Sequence, residues 1–96
     1  MNEQVFEKLR EIVSDALRIP AGEITLKTNL IVDLDAESID LVDIRFRIEE
    51  AFEFRVAQQE FVNSIAGSDP NEVMEKFAMD NIVHFVISQL AAKETK

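Results

Sequence analysis

The sequence predicts an all-α fold: a small bundle of four main helices, with a long loop after the first and room for one extra short helix. Three observations lead there. Apolar residues recur at three- and four-residue spacing through most of the 96 residues, the period of an amphipathic helix. Two Gly and two Pro are too few for a turn-rich β sandwich, and too few candidate strands exist to build one. Hydrophobic residues make up 47% and charged residues 30%, a globular composition on a chain long enough for one domain over residues 1–96.

The first helix is expected from about Glu3 to Leu17, with Phe6, Leu9, Val13, Ala16 and Leu17 as its apolar stripe and Pro20 and Gly22 as its stop. Residues Ile19 to Ala36 then read as a loop. Ile24, Leu26, Leu30, Ile31 and Leu34 lack helical spacing there and are expected to fold down onto the core. Thr25 or Thr28 can start a short turn. A loop this long in so small a domain is often functional.

Ser38 is a candidate N-cap for a strong helix over Ile39–Phe52. Leu41, Ile44, Ile48, Ala51 and Phe52 form one face. Ile39, Val42 and Phe46 form a second stripe, which has to cover a cavity or meet a partner. After the connector Glu53–Val56, a short helix over Gln58–Ile65 turns Phe61, Val62 and Ile65 inward, and Ala66-Gly67-Ser68 breaks it. Asp69-Pro70-Asn71-Glu72 reads as a capped restart, with Val73, Met74 and Phe77 on its apolar side. Asp80 is expected to cap a last helix carrying Ile82, Val83, Val86, Ile87 and Leu90, and Lys93–Lys96 to fray.

With 19 acidic against 10 basic residues, the formal net charge is −9. Such a chain repels a phosphate backbone, so nucleic acid is excluded as a partner and basic protein surfaces are favoured. The absence of Cys removes disulfides and any protein thiol nucleophile. Met1-Asn2-Glu3-Gln4 does not resemble a signal peptide, and no apolar run approaches a membrane span. A cytoplasmic monomer is expected.

The most informative stretch is Asp33-Leu34-Asp35-Ala36-Glu37-Ser38-Ile39-Asp40-Leu41-Val42-Asp43-Ile44. It sets one serine at a helix start, after a long loop and among carboxylates. The open N–H groups and positive dipole end of a helix suit a phosphate ester on that hydroxyl. The plainer alternative is a serine that only caps the helix.

The stretch resembles the phosphopantetheine-attachment motif of acyl carrier proteins, whose pattern runs leucine, glycine, small residue, Asp-Ser-Leu, then acidic and aliphatic residues. Here it reads Leu34-Asp35-Ala36-Glu37-Ser38-Ile39-Asp40. The first helix, the loop with Thr28-Asn29-Leu30 and the ending Ile48-Glu49-Glu50-Ala51-Phe52 also fall in family order. The likeness covers about residues 3–65 and resumes from Asp80. The departures are Glu37 for the usual Asp, Asp35 for the usual Gly, Arg45 and Arg47 on a normally neutral or acidic helix face, and an apparent insertion over Ala66–Met79. They suggest a specialised carrier.

The resemblance implies that Ser38 accepts 4′-phosphopantetheine from coenzyme A by a phosphopantetheinyl transferase. The arm's thiol would hold acyl groups as thioesters for partner enzymes of fatty acid, lipid or polyketide-type biosynthesis. It further implies that Glu37, Asp40, Asp43, Glu49 and Glu50 meet basic patches on acyl-transferring and acyl-modifying enzymes, and that Ile39, Val42 and Phe46 form the apolar part of that surface. An aminoacyl or peptidyl carrier, or an acidic helical interaction module without a prosthetic group, are the alternatives.

Two rival chemistries fail on residues. Asp33, Asp35, Glu37 and Ile39 fall at positions one, three, five and seven of a calcium loop. Ser38 stands where position six needs Gly, and Ile44 where position twelve needs Glu. No dedicated metal site is expected, although the crowded carboxylates leave weak divalent binding open. A serine hydrolase would need an oriented base, and His84 is far along the chain on another helix. The expected protein is a carrier and not an enzyme.

Overall fold

In the computed structural model, which describes residues 2–67 and 73–94, four long helices and one single-turn helix pack around a shared apolar core. Helix α1 spans Asn2–Leu17, α2 Ser38–Phe52, α3 Gln58–Ala66, α4 Val73–Lys76 and α5 Met79–Glu94. The side chains of Asn2, Ala66, Val73, Met74 and Glu94 lie outside the described part, as does the expected restart over residues 69–72.

Helix α1 buries Val5, Leu9, Ile12 and Val13, so its core stripe is broader than the expected one, and Phe6, Ala16 and Leu17 sit half-buried at its edge. Its stop is local rather than the work of Gly22. Arg18 adopts φ 59°, and the Ile19 N–H reaches back to the Ser14 carbonyl at 3.1 Å. Helix α2 ends the same way: Glu53 adopts φ 59° and Phe54 N–H bonds the Glu49 carbonyl at 3.3 Å. Both are left-handed closures of the kind glycine usually makes.

Leu41, Ile44 and Ile48 of α2 face the core. Phe61 and Ile65 of α3 meet Ile82, Val83, Phe85 and Val86 of α5 within the same core cluster. Phe61 is the centre of an aromatic cluster, edge-to-face with Phe85 at 5.4 Å and with Phe77 at 5.9 Å, while Phe54 contacts Phe85 at 6.2 Å. Such pairs add to plain area burial. Asp80 does not cap α5, which starts one residue earlier at Met79. It lies in the first turn, where its charge still favours the dipole.

The segment between α1 and α2 holds a short 3-10 turn over Ala21–Glu23 and a turn at Thr25–Thr28, closed by Thr28 N–H to the Thr25 carbonyl. Ile24 and Leu30 reach the core as expected, but Leu26 is nearly half exposed. What fixes the segment is buried Asn29. Its Oδ1 accepts the N–H groups of Ile31 and Val32 at 2.8 and 2.9 Å, and its own N–H donates to the Asp33 carboxylate at 2.8 Å. Its Nδ2 donates to the Glu75 carbonyl. Beside it, Leu30 N–H bonds the Phe77 carbonyl, Met79 N–H bonds the Thr28 carbonyl and Asp80 N–H bonds the Leu26 carbonyl. The loop before α2 and the chain before α5 thus satisfy each other's backbone. The Ala66–Met79 segment, read from sequence as an insertion, ends inside this lattice with Phe77 and Met79 fully buried.

Asp35, in place of the family's usual glycine, adopts φ 57°. Asp tolerates the left-handed region better than most residues, but without glycine's freedom.

Helix α3 is tied to α2 through Arg45. Its Nε donates to Gln58 Oε1 at 2.6 Å and its Nη1 to the Val56 carbonyl at 3.0 Å. Nη1 also pairs with Glu49 at 3.1 Å, and Glu49 in turn accepts the Val56 N–H at 2.7 Å.

Two stability measurements follow from the loop. Replacing Asn29 by Ala strands backbone donors and cuts the tie to Glu75, so chemical denaturation should show a loss of about 1–3 kcal/mol, while Asn29→Asp, which keeps the acceptor, loses less. Asp35→Val should cost about 1–2 kcal/mol because a β-branched residue fits poorly at positive φ, whereas Asp35→Gly should be no less stable than the unaltered protein.

Candidate functional site

The chain emerges from Asp35 in extended form, and Glu37, not Ser38, takes the N-cap position of α2 with φ −97° and ψ 171°. The carboxylate of Asp40, three residues on, accepts the Glu37 N–H at 2.9 Å, the return half of a capping box. Ser38 is therefore the first residue of the helix proper. It is exposed, and its hydroxyl bonds no group among the described residues. The plain capping role for Ser38 is thereby overturned: Glu37 and Asp40 close the helix start and leave the serine hydroxyl open to chemistry.

That hydroxyl opens onto a groove of about 690 Å³ between α2 and α3. Ile31, Ala36, Leu41, Val42 and Val62 supply its apolar walls. Gln58, the first residue of α3, is a polar member of its lining. Leu41 and Val42 lie one turn beyond Ser38, while the loop brings Ile31 and Ala36 alongside. The sequence pattern marked Val62 as inward but did not distinguish the groove from the core. Val62 departs from the Phe61–Ile65 line by one position and is half-buried where those two are buried.

The outer stripe on α2 is exposed as its spacing predicts: Ile39 is 73%, Phe46 54% and Val42 41% accessible. Asp43 and Glu50 are also exposed and share this side of the helix at three- and four-residue spacing, and Glu37 stands exposed at its head. Apolar and acidic groups therefore alternate along one ridge that starts beside Ser38.

Three expected members of the acidic face behave differently. Glu49 is only 13% accessible, with its carboxylate held by Arg45 and by the Val56 N–H. Asp40 is half-buried and occupied by the helix cap. Asp43 is exposed but paired with Arg47 at 3.2 Å, an exchangeable surface contact. The two arginines thus do not turn the ridge positive. Arg45, 17% accessible, spends its charge inside, and Arg47 is matched by its neighbour.

No group of three or more His, Asp or Glu side chains converges on a metal-sized site among the described residues. The expectation of weak divalent binding by the crowded carboxylates finds no support there, because Asp33, Asp40 and Asp43 are each turned to a local donor. His84 is exposed on α5 and lines a depression with Ser64 and Ser88, away from the residues that line the groove at Ser38. Among the described residues no helix is long and apolar enough to cross a membrane.

An open hydroxyl at a helix start, with the positive dipole end beneath it, fits a phosphodiester. An apolar groove beside it fits the arm and cargo such an ester would carry. Comparison with known proteins agrees with this chemistry. Residues 7–67 match the family described as phosphopantetheine attachment site. The acyl carrier protein of Coprothermobacter proteolyticus is 29% identical over 73 residues, covering 76% of this chain and 89% of that protein. The acyl carrier protein of Clostridium acetobutylicum is 39% identical over 56 residues, covering 58% of this chain and 73% of its own length. That of Borrelia garinii subsp. bavariensis is 34% identical over 59 residues, covering 62% and 74%. With that match over more than half its length, the chain belongs to the acyl carrier protein family, the non-catalytic carriers that bear a covalent 4′-phosphopantetheine.

Proposed function

We propose that residues 1–96 act as one carrier domain and that Ser38 is the residue that receives the arm, so that acyl intermediates of fatty acid, lipid or polyketide-type biosynthesis are held on it and presented to partner enzymes. The observation that carries this reading is the free, exposed hydroxyl of Ser38 at the first position of α2. The arm supplies a terminal thiol able to hold an acyl group as a thioester, which this cysteine-free chain cannot supply itself.

The residues divide the remaining work. The Glu37–Asp40 cap holds the helix start rigid and points Ser38 outward. Ile31, Leu41, Val42 and Val62 offer apolar shelter to what the arm carries. The ridge of Glu37, Ile39, Val42, Asp43, Phe46 and Glu50 is the surface offered to the transferase and to acyl-handling enzymes. Its exposed carboxylates steer basic partners and its apolar side chains bury on contact. In this reading Glu49 supports the surface from behind by fixing α3, and makes no contact itself.

The attachment reading is tested by incubating the apo-protein with coenzyme A and a broad-specificity phosphopantetheinyl transferase, then measuring intact mass. One phosphopantetheine should be gained, and Ser38→Ala should gain none. Equal gain in Ser38→Ala, or none in either protein with several transferases, overturns it.

For the ridge, Asp43→Asn and Glu50→Gln should each slow loading by the transferase roughly two- to fivefold at low ionic strength, with the difference shrinking as salt is added. Glu49→Gln should instead lower the melting temperature. Loading rates that ignore Asp43 and Glu50 at every ionic strength would mean that partners dock elsewhere.

A further inference from the structure

The groove beside Ser38 ends in polar chemistry. On α2 the walls are Leu41 and Val42; one turn further lies Arg45, whose Nε holds Gln58 Oε1 at 2.6 Å. Gln58 lines the groove, and behind it the guanidinium is also engaged by the Val56 carbonyl and by Glu49. Both charged side chains are largely shielded from water. An apolar chain running from the Ser38 end along Val42 and Val62 therefore meets a fixed amide backed by a shielded ion pair. To continue between α2 and α3 it would have to break the Arg45–Gln58 bond that joins them without replacing it, and a shielded donor left without an acceptor is costly.

We propose that Gln58, held by Arg45, is the end stop of the groove and sets the length of apolar chain that the groove accommodates. This rests on the reading of Ser38 as the attachment site and of the groove as shelter for its cargo. Gln58 is the specificity residue, touching the far end of a guest chain, and Arg45 a positioning residue behind it; neither takes part in the thioester. The fork of Arg45 suits the role because it bonds Gln58, Val56 and Glu49 together, which leaves the Gln58 amide little freedom to swing aside.

The test loads Ser38 directly from a series of saturated acyl-coenzyme A molecules of increasing chain length, using a transferase that accepts them. The melting temperature of each acyl form is then compared with that of the form carrying the bare arm. In the unaltered protein the increment should rise with chain length and then level off or fall. In Gln58→Leu, which removes the polar stop and keeps the Arg45–Glu49 pair, the break should move to longer chains. Gln58→Glu, still an acceptor for Arg45, should keep the original break. Arg45→Met should shift the break as Gln58→Leu does, on top of a lower melting temperature in every form.

A break that stays at the same chain length in Gln58→Leu, with all forms shifted in parallel, overturns the proposal and leaves the pair a structural tie. If the increment is zero at every length in the unaltered protein, the groove does not shelter cargo, and the proposal falls with that reading. If the unaltered protein accepts no arm at Ser38, the attachment reading has failed and the proposal fails with it.

Discussion

Residues 18–37 have to be held in one conformation without a sheet or a long helix, and Asn29 is the group that does it. Ordering such a segment costs about 1–2 kcal/mol per residue in backbone entropy. Burial of Ile24 and Leu30 and the packing of Ile19, Ile31, Leu34 and Ala36 offset part of that cost, while Leu26 and Val32 remain exposed. Asn29 caps the turn that follows it through Oδ1 and reaches across to Glu75 through Nδ2. The backbone bonds of Thr28, Leu30 and Leu26 to Met79, Phe77 and Asp80 complete the seam. Through this seam two irregular stretches stabilise each other, and the second fixes the start of α5. The turn capped by Asn29 delivers the chain through Asp35 to Glu37, so the position of Ser38 depends on a tie to residues far along the chain.

The charge of the chain is organised in the same local way. A formal charge of −9 and five carboxylates between Asp33 and Asp43 suggest mutual repulsion around the attachment motif. The structure relieves part of it by giving three of the five a donor: Asp33 takes the Asn29 N–H, Asp40 the Glu37 N–H and Asp43 the Arg47 guanidinium. Bonds of this kind are stronger than neutral ones and need no metal ion. What remains available to a partner is a thinner set, chiefly Glu37 and Glu50 with Asp43 on exchange, interleaved with Ile39, Val42 and Phe46.

Much of the architecture was legible in the sequence because it rests on periodicity. The ranges of α1, α2 and α3, the three α2 residues facing the core and the exposed stripe at Ile39, Val42 and Phe46 all follow from three- and four-residue spacing. The burial of Phe85 was missed because its neighbours Val83, Val86 and Ile87 already supplied an apolar face, and only the aromatic cluster with Phe54 and Phe61 draws it in. The part of Asn29 was illegible because its partner lies at Glu75, and no local pattern records a bond that long in sequence. Arg45 and Glu49 misled for a different reason. Arg45 reads as added positive charge on an outer helix face and Glu49 as a contact for basic partners, and only the arrival of Val56 and Gln58 ties the two together on the inner side. Ser38 looked like a cap because serine usually is one. Glu37 and Asp40 could make the same closure, and their doing so is what frees the hydroxyl.

Helix α2 consequently carries three jobs on three faces. Leu41, Ile44 and Ile48 hold it to the core; Ile39, Val42, Asp43, Phe46 and Glu50 face outward; Arg45 and Glu49 hold Val56 and Gln58 at the approach to α3. Val42 belongs to two of these, being exposed on the ridge and also a wall of the groove. On the proposed reading of the groove as shelter for cargo and of the ridge as a docking surface, a side chain shared in this way couples what is inside the groove to what a partner touches outside. A guest chain that displaces Val42 alters the ridge beside Ser38, and a partner that buries Val42 alters the wall. By linkage the two effects are reciprocal: whatever binds the ridge more tightly when the groove is filled must also favour filling of the groove.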